Sequence, residues 1–420
     1  MFGVIRRNPQ FRQLWFAQVV SATGDWLNRI ATLVLIGELG GGEAQLKVGL
    51  LYGIEYALRM LPTAVFSPLA GPLADRLPRR AIMVTSDLIR AVVVACLLLI
   101  QDPDHLQYLY GLIFLQMSLG IFFEAARSGA LPNTVPKEDL HEAYALSAAT
   151  WSTMLAVGGF LGGVLVEHIG VGGVFITDAT TYLCSALFLW KLRLPPVPTH
   201  PESFRLLDIL QLRDLRRGVS HVRSLGILPI LFSKVLWSPC GGFVILFPIL
   251  AQRFAEGPVG IQEAGSAIGL LFAARGVGTG VGPLLARRLG GSSEAMLLKQ
   301  TWGGMLVGAV GYVILPFAAN LWLAATCVMV AHMGGSAQWV GSTTYWQRRI
   351  DDAFRGRVFA SEFLLMTLGF STFAVLSGWM YDRIGDLDTI IWSFASLTTL
   401  GGIIALLLFR KLPRETLEAP

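Results

Sequence analysis

The chain has 420 residues, 54% of them hydrophobic and 15% charged, against about 25% charged in an average soluble protein. A soluble protein of this length needs extended charged faces, and this sequence lacks them. The net charge of +5 is scattered over seven separate segments, so no continuous basic patch exists to hold a nucleic acid.

Taken in chain order, twelve apolar stretches have the length of a bilayer crossing, about 20 residues each. They lie near residues 13–37, 49–70, 81–100, 107–127, 144–166, 172–191, 226–250, 264–286, 297–318, 321–345, 358–381 and 389–409. Counted this way, the connecting segments alternate between two sides. One side comprises the N-terminus, Arg76–Arg80, Arg127–Lys137, Lys191–Arg223, Arg287–Lys299, Arg348–Arg357 and the C-terminus, and holds 25 of the 33 Lys and Arg. The other holds three (Lys47, Arg253, Arg383), and five fall inside spans. The Lys/Arg-rich side faces the cytoplasm, which places both termini there. Met1 to Leu14 has early arginines but no small-residue cleavage site, so it reads as a cytoplasmic tail. With no Asn-x-Ser/Thr acceptor, a bacterial inner membrane is the expected location.

The predicted fold is an all-α membrane protein of twelve transmembrane helices in two six-helix bundles. Residues 1–192 form the first bundle, 193–225 a cytoplasmic linker and 226–420 the second. In the linker, Leu206, Leu207, Leu210, Leu215 and Val219 recur at helical spacing beside Arg213, Arg216 and Arg217. This fits a helix on the membrane surface or a solvated connection. The halves also repeat. Gly71-Pro-Leu recurs as Gly282-Pro-Leu, and Gly163-x-x-x-Glu167-His-Ile-Gly170 as Gly378-x-x-x-Asp382-Arg-Ile-Gly385, each near half the chain length apart. Parallel duplication of a six-span unit is one of the two ways transporters are built.

Charges within spans are the main functional clue, since each costs roughly 2.5–3.5 kcal/mol at the bilayer centre on insertion scales. Asp25 and Arg29 lie four apart on the first span, as do Glu55 and Arg59 on the second. That spacing puts each pair on one helix face. Facing a central cavity, they suit substrate binding or proton exchange; a static pair joining the first two spans is the competing reading. Asp87, Arg90, Glu124 and Arg127 are expected near the cytoplasmic ends of spans three and four, in a network around Asp75. Asp178, Lys234, Arg275 and Glu362 are isolated in sequence, Lys234 and Glu362 being suited to pair across helices. His332 reads as a hydrogen-bonded packing residue more readily than a titrating one. The tryptophans, among them Trp26, Trp151, Trp237 and Trp346, read as interfacial anchors before cavity linings.

The loop after the second span, Gly71-Pro-Leu-Ala-Asp75-Arg76-Leu-Pro-Arg79-Arg80, resembles the cytoplasmic loop signature of the major facilitator superfamily, with Pro78 replacing its second Gly. Gly71 would permit close helix approach, and Asp75 could sit against a positive helix end or an Arg. Ala125-Ala-Arg127, Ala130-Leu-Pro-x-x-Val-Pro136, Asp178-Ala-Thr-Thr-Tyr182, Gln347-Arg-Arg-Ile350 and Arg355-Gly356-Arg357-Val358 together resemble the drug:proton antiporter branch that contains macrolide and enterobactin exporters. The resemblance implies the major facilitator fold and export of a bulky amphipathic compound, drug or siderophore, as protons enter. It implies a cytoplasmic gate of Gly71, Asp75, Arg76, Arg79, Arg80, Arg127, Arg355, Gly356 and Arg357, with Asp75 bridging to the start of the eleventh span near Arg357. A facilitator or proton symporter for another solute is the alternative, and behind it a membrane-bound enzyme or a scaffold. The fifth span departs from the family pattern: Gly158-Gly159-Phe-Leu-Gly162-Gly163 has Gly159 where Pro is usual. It keeps small faces for tight packing but loses the kink.

The spaced glycines from Gly276 to Gly282 follow no strand and sit in an apolar helix, so packing explains them better than a nucleotide loop. No Walker loop, zinc-ligand spacing or nucleophile elbow appears, so neither cofactor nor metal is expected and an enzyme is disfavoured. The expected partners are a small-molecule substrate, protons and the lipid bilayer, with one chain sufficient as a monomer.

Overall fold

The computed structural model describes residues 3–41, 47–196, 219–255, 264–410 and 412. Of the predicted linker helix, Leu206 to Arg217 lie outside them, while Val219 is described and helical. The described regular structure is helical. The helices are α1 (Gly3–Arg7), α2 (Pro9–Gly41), α3 (Val48–Ala74), α4 (Arg79–Cys96), α5 (Leu106–Ala130), α6 (Leu140–Trp190), α7 (Leu228–Leu236), α8 (Gly241–Val244), α9 (Phe247–Ala255), α10 (Ala264–Gly290), α11 (Glu294–Ile314), α12 (Leu321–Arg349), α13 (Asp352–Ile384) and α14 (Leu387–Phe409).

Among the described residues, eight helices are long and apolar enough to cross a membrane, or nine if the bent pair 228–244 and 247–254 forms one span. This is fewer than the twelve expected, for identifiable reasons. At 51 residues, α6 would be about 75 Å long if straight, far beyond one bilayer. It instead turns at Gly170, where φ is 71° and ψ 169°, a conformation open to glycine. One helix therefore spans two of the predicted stretches. Neither α3, with buried Glu55 and Arg59 and three internal prolines, nor α12, with His332, Gln338 and two terminal arginines, is among the eight.

Local chemistry sets the joints. Gly385 ends α13 in the left-handed region at φ 72°, as a glycine at this position does. The next residue, Asp386, caps α14 by accepting from the Thr389 backbone N–H at 3.1 Å. Asn320 caps α12 through the Leu323 N–H at 3.0 Å. Both side chains satisfy donors that a helix start leaves unpaired.

Helices α2 to α6 pack on one another: α2 along α6, α3 along α5, and α4 against α5 and α6. In the second half α10 and α11 pack on α12, and α11 on α14. Two helix pairs make the most extensive contacts between these sets, α3 with α13 and α6 with α10.

Candidate functional site

Among the helices of the first set lies a cavity of about 670 Å³, with Arg275 of the second set on its wall. It is lined from α2 by Gln18, Asp25, Trp26 and Arg29, from α3 by Tyr56 and Arg59, from α4 by Arg90, from α5 by Glu124 and Arg127, from α6 by Tyr144 and Trp151, and from α10 by Arg275. It continues to Ser128 and Leu131, where α5 runs into the loop that carries Lys137. The cavity therefore reaches the end of the helices from which the basic loops leave. Trp26 and Trp151 meet edge-on at 6.3 Å, and Trp26 stands 6.2 Å from Phe272. These two indoles line the cavity, whereas Trp237 and Trp346 are buried within the helices; none of the four behaves as the interfacial anchor expected of it.

All four predicted charges sit at this cavity or directly behind it, but their pairing differs from the expectation. Glu55 does pair with Arg59 in its own helix, and it also takes Arg29 of α2 at 3.4 Å. Asp25 does not pair with Arg29. It accepts a short hydrogen bond from the Tyr182 hydroxyl and lies 3.9 Å from Arg90 of α4. A four-residue spacing only brings two side chains within reach; here stronger partners on neighbouring helices win. Arg90 in turn pairs with Asp87, whose second oxygen accepts from Ser185 at 2.6 Å. Gln116 donates to the Tyr182 oxygen at 3.0 Å. The Asp87–Arg90 pair thus belongs to this cavity network, not to the Asp75 loop where it was expected.

Sequence reasoning set Asp178 aside as isolated, yet it completes this cluster. It is wholly buried and accepts from the Thr181 hydroxyl at 3.3 Å, and its second oxygen has no hydrogen-bond partner. It faces α2 beside Gly24, where a Cβ would strike its carboxylate. The Asp178-Ala-Thr-Thr-Tyr182 stretch was the available signal, since three-to-four-residue spacing puts Asp178, Thr181 and Tyr182 on one helix face.

Arg127 likewise turns to the cavity. It grips Glu124 through two bonds of 2.8 and 2.6 Å and reaches Gln18 at 3.0 Å and Ser147 at 2.8 Å. In the basic loop, Asp75 is exposed and paired with Arg79 at 3.1 Å. Arg79 also donates to the Ala74 and Gly129 carbonyls, and Arg80 to that of Leu192. Arg76 is partly buried in the same loop. Across from it, Arg355 donates to the Ile350 carbonyl at 3.1 Å, and Arg357 stacks over Phe354 at 5.4 Å. Gly71 and Gly356 have open space where a Cβ would stand. The close approach expected at Gly71 is thus absent, because the helices are apart at this end.

The other end is tight. A Cβ on Gly49 of α3 would meet the Gly378 carbonyl of α13, and one on Gly163 of α6 the Gly265 carbonyl of α10. Gly159 abuts Phe272, Gly158 abuts Trp26, and Gly162 abuts Leu27 and Ile30. The repeated acids stand at these contacts. Asp382 accepts from the backbone N–H of Gly49 at 2.9 Å and of Leu50 at 2.7 Å. Glu167 accepts from the Ser266 N–H at 2.5 Å and from its hydroxyl. Each acid thus caps the first turn of a helix in the opposite set, satisfying free donors and the positive helix end. Elsewhere Lys234 pairs with Glu362 at 2.8 Å, and His332 bonds the Tyr312 hydroxyl at 3.0 Å. Gly276, Gly278 and Gly282 press on Ala156, Met329 and Met333, as close helix packing requires.

Comparison with known proteins fits this architecture. The fold matches a peptide transporter of the POT family, PepTSo, with a TM-score of 0.74 at 12% identity over 96% of this chain and 98% of that one. It matches the nucleoside transporter NupG with a TM-score of 0.71 at 14% identity, over 96% and 99%. Macrolide efflux protein A of Streptococcus pyogenes is 24% identical over 90% of both chains. The enterobactin exporter EntS of Salmonella typhi is 27% identical over 77% of this chain and 73% of that one. A Bacillus subtilis protein whose name proposes bacilysin export is 26% identical, and the match spans 60% of this chain and only 61% of its relative's length. The Major Facilitator Superfamily profile matches residues 14–298. With helices, cavity and sequence in agreement, the chain belongs to the Major Facilitator Superfamily of membrane transporters.

Proposed function

We propose that the chain is a twelve-crossing, two-bundle secondary transporter of a bacterial inner membrane that exports a bulky amphipathic compound in exchange for protons. The observation that carries this reading is the charged cavity of the first set, met by Arg275 of the second, opening toward the basic loops and closed at its far end by glycine contacts. A site at the repeat interface, opened alternately to either side, is how such transporters work. The α6 turn at Gly170, the bent α7–α9 segment, and helices α3 and α12 supply the four crossings that a simple helix count misses. The two acid caps hold the outer face shut in this conformation. The Asp75–Arg79 loop, with Arg76, Arg80, Arg355, Gly356 and Arg357, forms the inner gate when the molecule inverts.

Asp25 is the proton-coupling carboxylate. It lines the cavity and is held by Tyr182 and Arg90. Protonating it weakens its hold on Arg90, which connects the cavity to α4. Glu55, clasped by two arginines, is the positioning acid of the pair. The names of the efflux and export relatives support the outward direction. Proteoliposomes loaded with macrolides and siderophores, with and without a pH gradient, test the reading. Efflux should follow the gradient and vanish in Asp25→Asn. Gradient-independent flux would point instead to a facilitator, and gradient-driven flux unchanged in Asp25→Asn would remove its assigned role.

A further inference from the structure

We infer that the cavity selects an amphipathic anion, its acidic group taken by Arg29 and Arg275 and its apolar body by the Trp26–Trp151 wall. This deepens the transport reading and rests on it. Five arginines line the cavity (Arg29, Arg59, Arg90, Arg127, Arg275) against two carboxylates, Asp25 and Glu124. Both acids are already engaged, Asp25 by Tyr182 and Arg90, and Glu124 by the two bonds from Arg127. Behind the lining, Asp87 serves Arg90, while the single carboxylate of Glu55 serves both Arg29 and Arg59. Among the described residues Arg275 has no ion-pair partner; it leans on the Phe272 ring at 5.9 Å. Arg29 lies over the same ring at 5.6 Å. Two guanidinium groups, one from each half, therefore approach the same phenyl ring.

Hydrogen-bonding capacity leads to the same place. Arg29 Nε, Arg59 Nη2 and Arg90 Nε are buried nitrogens without a hydrogen-bond partner. Arg29 and Arg59 are 7% and 5% exposed and line the cavity. A buried donor left unsatisfied is costly, and an arginine fork matches a carboxylate, phosphate or sulfonate. A cationic ligand would meet the reverse arrangement, with every lining carboxylate neutralised and a surplus guanidinium in its way. An anion seated between Arg29 and Arg275 also bridges the two helix sets, so its binding is tied to their relative position.

The test uses the full chain in lipid nanodiscs and one apolar body with four head groups: 2-naphthoate, naphthalene-2-sulfonate, 2-naphthamide and 2-naphthylmethylammonium. Affinities are measured by titration calorimetry, with inorganic phosphate as a competitor lacking the apolar part. Both anions should bind about tenfold or more tighter than the amide and the ammonium. Phosphate should compete only weakly. Arg275→Gln should erase the preference and Arg275→Lys should keep most of it. Because Arg29→Gln disturbs a buried pair, Arg275 carries the test, and thermal melting confirms that its variants fold. Equal or tighter binding of the amide or ammonium overturns the inference, as does an anion preference that survives Arg275→Gln. Gradient-driven flux of neutral or cationic compounds alone would sink this inference and leave the transport reading standing. Anion binding with no flux of any compound would do the opposite.

Discussion

The two ends of the molecule solve opposite problems with the same materials. At the closed end, glycines let backbones touch, and Glu167 and Asp382 each cap a helix of the opposite set. At the open end, Gly71 and Gly356 touch nothing where a side chain would stand, and Asp75 satisfies itself with Arg79 four residues away. A small residue or an acid is thus not a contact in itself; it is a capacity that one conformation uses and another leaves idle. Both ends carry the sequence repeat, so on the transport reading the difference between them is one of state.

The largest expected effect lies between the ends, where the cavity joins them. Asp25→Asn should reduce pH-driven accumulation in proteoliposomes to background while leaving substrate exchange at equal pH. Exchange lost together with accumulation would make Asp25 a binding residue instead of a coupling one. Next comes Glu55→Gln, which leaves two buried guanidinium groups short of an anion. Removing one partner of a buried pair costs about 3–5 kcal/mol, seen as a marked fall in melting temperature in detergent. A melting point near wild type would show that water already reaches the site.

The closed end offers a finer cut. Glu167→Gln and Asp382→Asn should each weaken a helix cap by about 1 kcal/mol, and the double variant should nearly add, since the caps sit on separate helix pairs. Distances between spin labels across the outer face would report a larger open fraction. An unchanged distribution would mean that glycine packing alone holds this end. Asp75→Asn should be nearly silent in the present conformation, because an exposed pair contributes about 0–1 kcal/mol, yet it should slow turnover if the loop closes in the inverted state. Unaltered turnover would dismiss the inner gate.

The smallest effect concerns pH at the surface. Hydrogen bonds from Arg7 and Asn8 hold the Asp139 carboxyl below the usual carboxylate range. Its contribution to stability is therefore present above the ordinary carboxylate range and is lost as pH falls through the depressed value. Melting curves from pH 5 down to pH 3 should converge with those of Asp139→Asn; parallel curves would show that the contact is idle in solution.

Much of this was legible in the chain because membrane physics writes it large. The sorting of Lys and Arg, the apolar stretches and the Gly163/Gly378 repeat all predict a duplicated helical transporter, and the family assignment bears out a helical membrane transporter. The cavity charges were found because ionisable residues inside apolar spans stand out: Asp25, Arg29, Glu55 and Arg59 all lie there. Their partners were not legible. Spacing along one helix pointed Asp25 to Arg29, but Tyr182, more than a hundred residues away, holds it. The roles of Glu167 and Asp382 were hidden for the same reason: the repeat marked the positions, but their partners are backbone donors that carry no side-chain signature. The bend at Gly170 was visible only as a short gap between two apolar runs.

The contact of Gly49 with Gly378 has one further consequence. There a methyl group would strike backbone, which cannot rotate aside as a side chain can. Substituting Gly378 by Ala, Ser and then Val would drive a wedge of increasing width into the outer seam. On the transport reading, such a graded series would populate the conformer opened at this seam, and so give access to the half of the proposed cycle that this conformation hides.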